Sequence, residues 1–307
     1  MTEDFDNLTA EHRSTPGKRP LVSICIPVFN EEKHLERTIT SVLSQTYDNF
    51  ELVISDNVST DKTESICREF SEKDKRVKYF RNSQKVNQNE NFNCVFRLSK
   101  GELTVWMGGH DWLDPNYIEQ CVTEFGKNPD YVMVTTYTKH IDDDGVEHYK
   151  EYKGTRLDLK SPCKRFSRML WFLTASHLYI GPVFSMARRG AVEKTGLFRH
   201  MLYGDLIFAL QMSLFGPWGH VPKCLQFRKH PTFRKPRANI EVYGFKQKPY
   251  FCRIRMCWVV VKVIWTEGSL RLYEKLCCTC GLVKYYVVIQ SQRGKRGFKK
   301  LSRILGR

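Results

Sequence analysis

The chain has 307 residues, 41% hydrophobic and 13% aromatic, with a formal net charge of +16. That length and apolar content support a real hydrophobic core and exclude a disordered chain. Among the eleven cysteines only Cys277 and Cys280 have C-x-x-C spacing, with no second pair or His partner to complete a zinc ribbon, and no run reaches the ~18 apolar residues of a membrane span.

Residues 1–20 are polar and charged, without a secretory leader's apolar run, and read as a flexible lead. With Cys25, Cys67, Cys94 and Cys121 set in apolar stretches as small hydrophobes, this predicts a reducing, cytoplasmic setting with free thiols. Cys277, Cys278 and Cys280 are read as core thiols too. Leu21–Ile26 is a β-branched run closed by Pro27 and predicts a buried strand. A helix follows over 31–45, with Leu35, Ile39, Val42 and Leu43 on one face. Phe50–Ser55 is a second strand, and Asp61 and Glu64 resemble the cap of a helix carrying Ile66 and Phe70. A third strand (Val77–Arg81), a helix around Phe92–Phe96, a fourth strand (Leu103–Met107) and a helix opened by Asp114-Pro115 complete an alternating series. Such alternation predicts an α/β fold with a mostly parallel sheet flanked by helices. Beyond about 131 the pattern loosens: a strand at 132–136, a polar loop over 139–160, a helix at 205–214 and a short strand at 218–221. Asp142–Asp144 before Gly145 reads as a hairpin turn rather than a metal site.

Ligands of open parallel sheets bind beyond the carboxyl ends of the strands. Glu31, Asp56 and Asp111 all fall there by topology, with His110 beside Asp111. Glu31 alone reads equally well as a helix cap, but capping accounts less well for all three acids together. Neither G-x-G-x-x-G after the first strand nor a P-loop is present, so a dinucleotide fold and a P-loop NTPase are not supported.

Three segments carry a closer resemblance. Val22–Glu31 (VSICIPVFNE), Ser41–Tyr47 (SVLSQTY) and Phe50–Asp61 (FELVISDNVSTD) resemble, in order and spacing, the opening of family 2 glycosyltransferases of the GT-A fold. The resemblance continues through Asn91-Phe-Asn93, Trp106, Asp111–Pro115 and Thr195–Phe198, covering about 21–230. It implies an inverting transferase that takes a sugar from a nucleotide diphosphate donor. Residues 21–113 would be its nucleotide-sugar half and 114–244 its acceptor half. By the same resemblance Pro27, Phe29 and Glu31 line the base and ribose, Asp56 hydrogen-bonds the base, and Asp111 holds a divalent Mn2+ or Mg2+ on the donor phosphates. Asp205 is then the general base, and His230 lies near the phosphates.

This sequence departs from the family pattern at three places. His110 replaces a second Asp; an imidazole binds Mn2+, or else it supports the site from outside the ligand shell. Gly204 replaces the Glu of a Glu-Asp pair. Asn57-Val58 replaces Asp-Gly, which predicts a slightly different turn after the second strand. The first two departures keep a second reading open, a nucleotide-sugar-binding protein with weak catalysis.

From Phe245 to Arg307, fifteen Lys or Arg face two acids, so this segment holds +13 of the net charge. A polycation seeks phosphate, on lipid or on nucleic acid. Met256, Val259, Val260 and Val263, then Leu282, Tyr285, Tyr286 and Ile289, are spaced as a helical stripe that predicts a basic amphipathic tail on an anionic membrane surface. No RNA- or DNA-binding module accompanies it, so no nucleic-acid partner is expected. The acceptor implied is a glycan or a lipid-linked molecule.

Overall fold

The computed structural model describes residues 19–176, 179, 181–229 and 249–305, with side chains of the last segment described for 252–291. The chain alternates strand and helix as far as β4: β1 (Val22–Val28), α1 (Leu35–Leu43), β2 (Phe50–Asp56), α2 (Thr63–Lys73), β3 (Val77–Arg81), α3 (Gln88–Leu98) and β4 (Leu103–Trp106). β5 (Trp112–Leu113), α4 (Tyr117–Lys127), β6 (Met133–Ile141), β7 (Glu147–His148) and α5 (Pro162–Ala175) follow. β8 (Met186–Arg188), α6 (Arg189–Lys194), α7 (Gly204–Phe215), β9 (Trp218–Lys229), α8 (Pro249–Thr266) and α9 (Leu272–Leu305) complete the described elements.

The sheet runs β3-β2-β1-β4-β8-β6-β9-β5, with β7 hairpinned onto β6. The first four strands are parallel; beyond them β8 is antiparallel to both β4 and β6, and β5 to β9. Alternation along β1 explains the two cores. Val22, Ile24, Ile26 and Val28 point to α1, α2 and α4, while Cys25 points to the opposite face, covered by α3, α5, α7, α8 and α9.

Several details differ from the sequence reading. α2 begins at Thr63 without a side-chain cap; Asp61 instead accepts from the Thr63 and Glu32 amides, tying the β2 turn to the β1 turn. The short strand expected at 218–221 runs to Lys229, and β6 extends through part of the expected loop. The Asp142 turn is a hairpin turn as read, its carboxylate accepting from the Asp144 and Val146 amides with Gly145 at φ +78°.

The tail needs a larger correction. Met256, Val260, Val263, Leu282 and Tyr285, from a stripe expected to be shared between the enzyme body and a membrane, are all buried on the body, where α8 packs on α7 and α9 on α5. A different apolar set is exposed: Trp258, Trp265, and the stripe Leu272, Leu276, Cys280, Val283 and Val287 along α9. Of the three clustered thiols only Cys278 is buried. Among the described residues no helix is long and apolar enough to cross a membrane.

Candidate active site

The carboxyl ends of β1, β2 and β4 meet the end of β9 at one edge of the sheet. β4 is followed by Gly108-Gly109, and these glycines are there for closeness. A Cβ on Gly109 would come within 2.8 Å of the Glu31 side chain; one on Gly108 would come within 2.9 Å of Asp111 Oδ2 and 3.3 Å of His110 Nε2. The turn therefore packs Glu31, His110 and Asp111 together. Glu31 Oε1 lies 2.9 Å from His110 Nδ1, and His110 Nε2 lies 3.9 Å from Asp111 Oδ1. Burial pulls the His110 pKa down, but the Glu31 hydrogen bond and the charges of Asp111 and Glu31 outweigh it, so the imidazolium persists above the usual histidine range.

Asp111 is almost fully enclosed. Its Oδ2 accepts from the Gly108 amide and from Arg228 Nε, each at 3.2 Å, and its Oδ1 accepts from the Lys229 amide at 3.1 Å. The Arg228 guanidinium also lies 3.4 Å from the centre of the Phe184 ring. Arg228 is the residue that sequence reasoning passed over: it stands in the Arg228-Lys229-His230 run, where attention fell on His230, which lies outside the described residues. Among the described residues no three ligating side chains meet. The Asp111 carboxylate nonetheless fits a divalent ion whose remaining ligands come from phosphates and water, the usual arrangement for Mg2+ beside a nucleotide, and His110, whose charged form Glu31 and Asp111 favour, supports it from outside the ligand shell.

On the nucleotide side, Pro27 pairs with Ser55 and Asp56 pairs with Val28 across β1 and β2. Phe29 is 40% exposed, with Lys85 Nζ 3.7 Å from its ring centre. Asp56 is fully buried. It accepts from the Ser59 amide (2.9 Å) and hydroxyl (2.6 Å), from the Tyr79 hydroxyl (2.8 Å) and from Arg81 (2.8 Å). A carboxylate offers about four lone-pair sites, so a base reaching Asp56 has to displace one of these donors. Val58 adopts φ +63°, the left-handed conformation that glycine takes most readily.

Three asparagines on α3 link this half to Asp205. Asn91 bonds Ser55 on β2 and reaches the Val28 carbonyl on β1. Asn93 exchanges hydrogen bonds with the Phe198 backbone, and Asn89 donates to the carbonyls of Arg199 and Met201. The loop so held turns through Tyr203 at φ +70° into α7, whose first turn carries Asp205. Gly204 is required there: a Cβ would sit 2.8 Å from the Arg199 carbonyl oxygen and 3.1 Å from Asn89 Nδ2. The departure at this position is thus a packing demand. Asp205 keeps a solvent-accessible side chain, but protein crowds around it, and the resulting desolvation raises its carboxyl above the usual range despite opposing backbone donors. Asn93 was visible in the sequence only as part of a motif, and Asn89 not at all.

The model of Glycosyl transferase family 2 matches residues 23–196, more than half of the chain. The chain belongs to glycosyl transferase family 2. Over 260 residues it is 34% identical to the chondroitin synthase of Escherichia coli, covering 77% of this chain and 35% of that one. An uncharacterized glycosyltransferase of Haemophilus influenzae is 31% identical over 122 residues, 40% of this chain and 38% of that one. The matched regions thus span little more than a third of these family 2 relatives. The fold is also that of S. aureus TarS 1-349 in complex with UDP-GlcNAc (TM-score 0.67, 14% identity, 86% of this chain and 72% of that one). It is shared with the mannosyltransferase PcManGT of Pyrobaculum calidifontis in complex with GDP-Man and Mn2+ (TM-score 0.52, 14% identity, 93% of each chain). Family 2 membership and the GT-A architecture account for the parallel half of the sheet and for the crevice at its carboxyl edge.

Proposed function

We propose that this chain transfers a sugar from a nucleoside diphosphate donor to an acceptor hydroxyl, with inversion, in the synthesis of a polysaccharide, lipopolysaccharide or glycolipid. The observation that carries the reading is the convergence of Glu31, His110, Asp111 and Arg228 at the carboxyl edge of the sheet. Asp205 opens a helix that Asn89 and Asn93 tie to the same edge. The UDP-GlcNAc and GDP-Man named with the structural relatives support a nucleotide-sugar donor.

Pro27, Phe29 and Glu31 line the base and ribose; Asp56 serves the base together with Tyr79 and Arg81, which it orients. Asp111, with His110 beside it, would hold a divalent Mn2+ or Mg2+, which would supply Lewis acidity to offset charge on the departing diphosphate. Arg228, already at the carboxylate of Asp111, adds fixed positive charge where the diphosphate charge develops. Asp205 accepts the proton of the attacking hydroxyl. Its raised pKa makes it a stronger base than an ordinary aspartate. His230 is assigned to the phosphates by its place in the sequence alone.

The enzyme is read as docking on the inner face of a membrane, a reading supported by the exposed apolar residues of α8 and α9 in a segment of net charge +13. A thermal-shift screen of nucleotide sugars with Mn2+ tests the donor assignment. A true donor at 100 times its dissociation constant adds ~2.7 kcal/mol of stability. A panel without any metal-dependent shift removes it.

A further inference from the structure

Away from the crevice, the segment from Tyr149 to Trp171 holds seven Lys or Arg and two acids. Tyr152 and Trp171 of this segment cluster with Tyr179. Trp171 and Tyr179 lie parallel, 5° apart with centroids at 6.1 Å, and the Tyr152 ring leans on both at 5.2 and 5.3 Å. Gly154 makes room beneath Tyr152: a Cβ there would meet the phenol oxygen at 2.4 Å. The cluster is not sealed, since Trp171 is 39% exposed. Cations border it. Arg168 lies 5.2 Å from the Trp171 ring centre and donates to the Tyr152 hydroxyl. Lys150 lies 5.8 Å from Tyr179, and Arg156 5.6 Å from Tyr152. Among the described residues these three cations rest on rings, hydroxyls and carbonyls rather than on carboxylates.

Two other features place this patch in the working part of the molecule. Arg156 lines a small pocket with His220, whose Nε2 is buried without a hydrogen-bond partner. Burial, with the Arg156 charge beside it, pushes the His220 pKa down to about 3, so its imidazole is neutral. The patch is also close to the crevice along the chain. Tyr179 is five positions before Phe184, the ring beneath Arg228, and five residue steps span at most about 18 Å.

We propose that Trp171, Tyr179 and Tyr152, with Lys150, Arg156 and Arg168, form a subsite for an acidic glycan, the acceptor chain on which this transferase acts. The proposal rests on the glycosyltransferase reading and names its acceptor class. An open aromatic face takes the apolar C–H face of a pyranose ring. Guanidinium and ammonium groups not paired with protein acids take a uronate carboxylate or a sulfate, arginine in bidentate fashion. A neutral glycan would leave Lys150 and Arg168 without a contacting carboxylate among the described residues, and Arg156 with only the longer-range charge of Asp158. Single-stranded nucleic acid also combines bases for stacking with anionic charge. The glycan is favoured because the patch lies within a short oligosaccharide's reach of Arg228 and the donor-phosphate edge.

Calorimetric titration of the full chain with a hyaluronan hexasaccharide, an N-acetylglucosamine hexamer of equal length and a single-stranded oligonucleotide of equal charge tests the assignment. The hyaluronan hexasaccharide is expected to bind, and the neutral hexamer about tenfold or more weakly. Trp171→Ala is expected to weaken hyaluronan binding at least about tenfold, and Lys150→Gln with Arg168→Gln to do so without removing a ring. Stabilisation by a nucleotide sugar with Mn2+, measured on the same preparations, stays unchanged in the charge variants. Equal binding of the two hexasaccharides, tighter binding of the oligonucleotide, no binding, or hyaluronan binding indifferent to both sets of substitutions overturns the subsite. Loss of donor stabilisation in the unmodified chain instead overturns the underlying transferase reading.

Discussion

Arg228 Nε donates to Asp111 Oδ2 across 3.2 Å, on a carboxylate whose side chain is only 3% exposed. The proposed metal ligand is therefore already neutralised by a protein cation. A divalent ion arriving alone has to compete with that guanidinium, whereas an ion arriving with a diphosphate offers Arg228 a new anionic partner.

Arg228→Gln separates these two situations. The variant is expected to bind Mn2+ in the absence of donor more tightly than the native chain, because a competing charge is gone. It should also lose about 2 kcal/mol of stability, since Asp111 keeps two backbone donors and only the more distant His110, at 3.9 Å, as a counter-charge. Mn2+ titration by calorimetry and urea unfolding check the two halves. Unchanged Mn2+ affinity contradicts a metal role for Asp111.

Asp205→Asn is expected to leave donor stabilisation intact while lowering turnover by ~10²-fold or more, as loss of a general base does. The sign of its stability effect follows from desolvation. The folded-state pKa is raised, so the native state favours the protonated acid, and the ionised form costs stability above that pKa. Asn carries no charge, so the variant should melt higher than the native chain near neutral pH. The gain should vanish below the ordinary aspartate range, near pH 4. A variant that melts lower at pH 7 shows that desolvation does not dominate at this site. In the native chain, the acid limb of the kcat/KM profile should lie above the usual aspartate pKa.

Val58→Gly should stabilise the protein. A β-branched residue at φ +63° carries strain on the order of 1–3 kcal/mol, and glycine adds back ~1 kcal/mol of unfolded-state entropy. The net expectation is a gain of about 1 kcal/mol, readable as a higher urea midpoint. A lower midpoint means that Val58 contributes packing that outweighs its backbone strain.

These cases show what was legible in the sequence. The strands, the helices between them and the positions of Glu31, Asp56 and Asp111 could be read because local apolar periodicity and turn residues set them. Arg228 could not be joined to Asp111, because the pairing spans 117 residues and depends on the β5–β9 register. Val58 could not reveal its φ, since its side chain argues against the conformation it adopts. The tail misled for a different reason. A helical stripe is equally apolar whether it meets lipid or protein, and only packing shows that Met256, Val260 and Leu282 face inward.

The outward face of the tail gives a membrane prediction. Leu272, Leu276, Cys280, Val283 and Val287 form one exposed stripe of α9, with Trp258 exposed on α8. The full chain should co-sediment with vesicles containing phosphatidylserine, and less so as salt rises and screens the charges. Trp258→Ser with Val287→Ser should weaken binding without lowering the melting temperature, because both side chains are largely exposed. Binding unchanged by these substitutions, or absent at low salt, contradicts membrane docking through this face.

The most direct test of the central claim is release of nucleoside diphosphate from the nucleotide sugar that stabilises the chain, followed with and without Mn2+ in the native protein and in Asp111→Asn. The account predicts metal-dependent release in the native chain, loss of that release after chelation, and its absence in Asp111→Asn, whose side chain keeps its size but not its charge. Release that persists after chelation, or in Asp111→Asn at the native rate, would contradict a metal-assisted glycosyl transfer centred on Asp111.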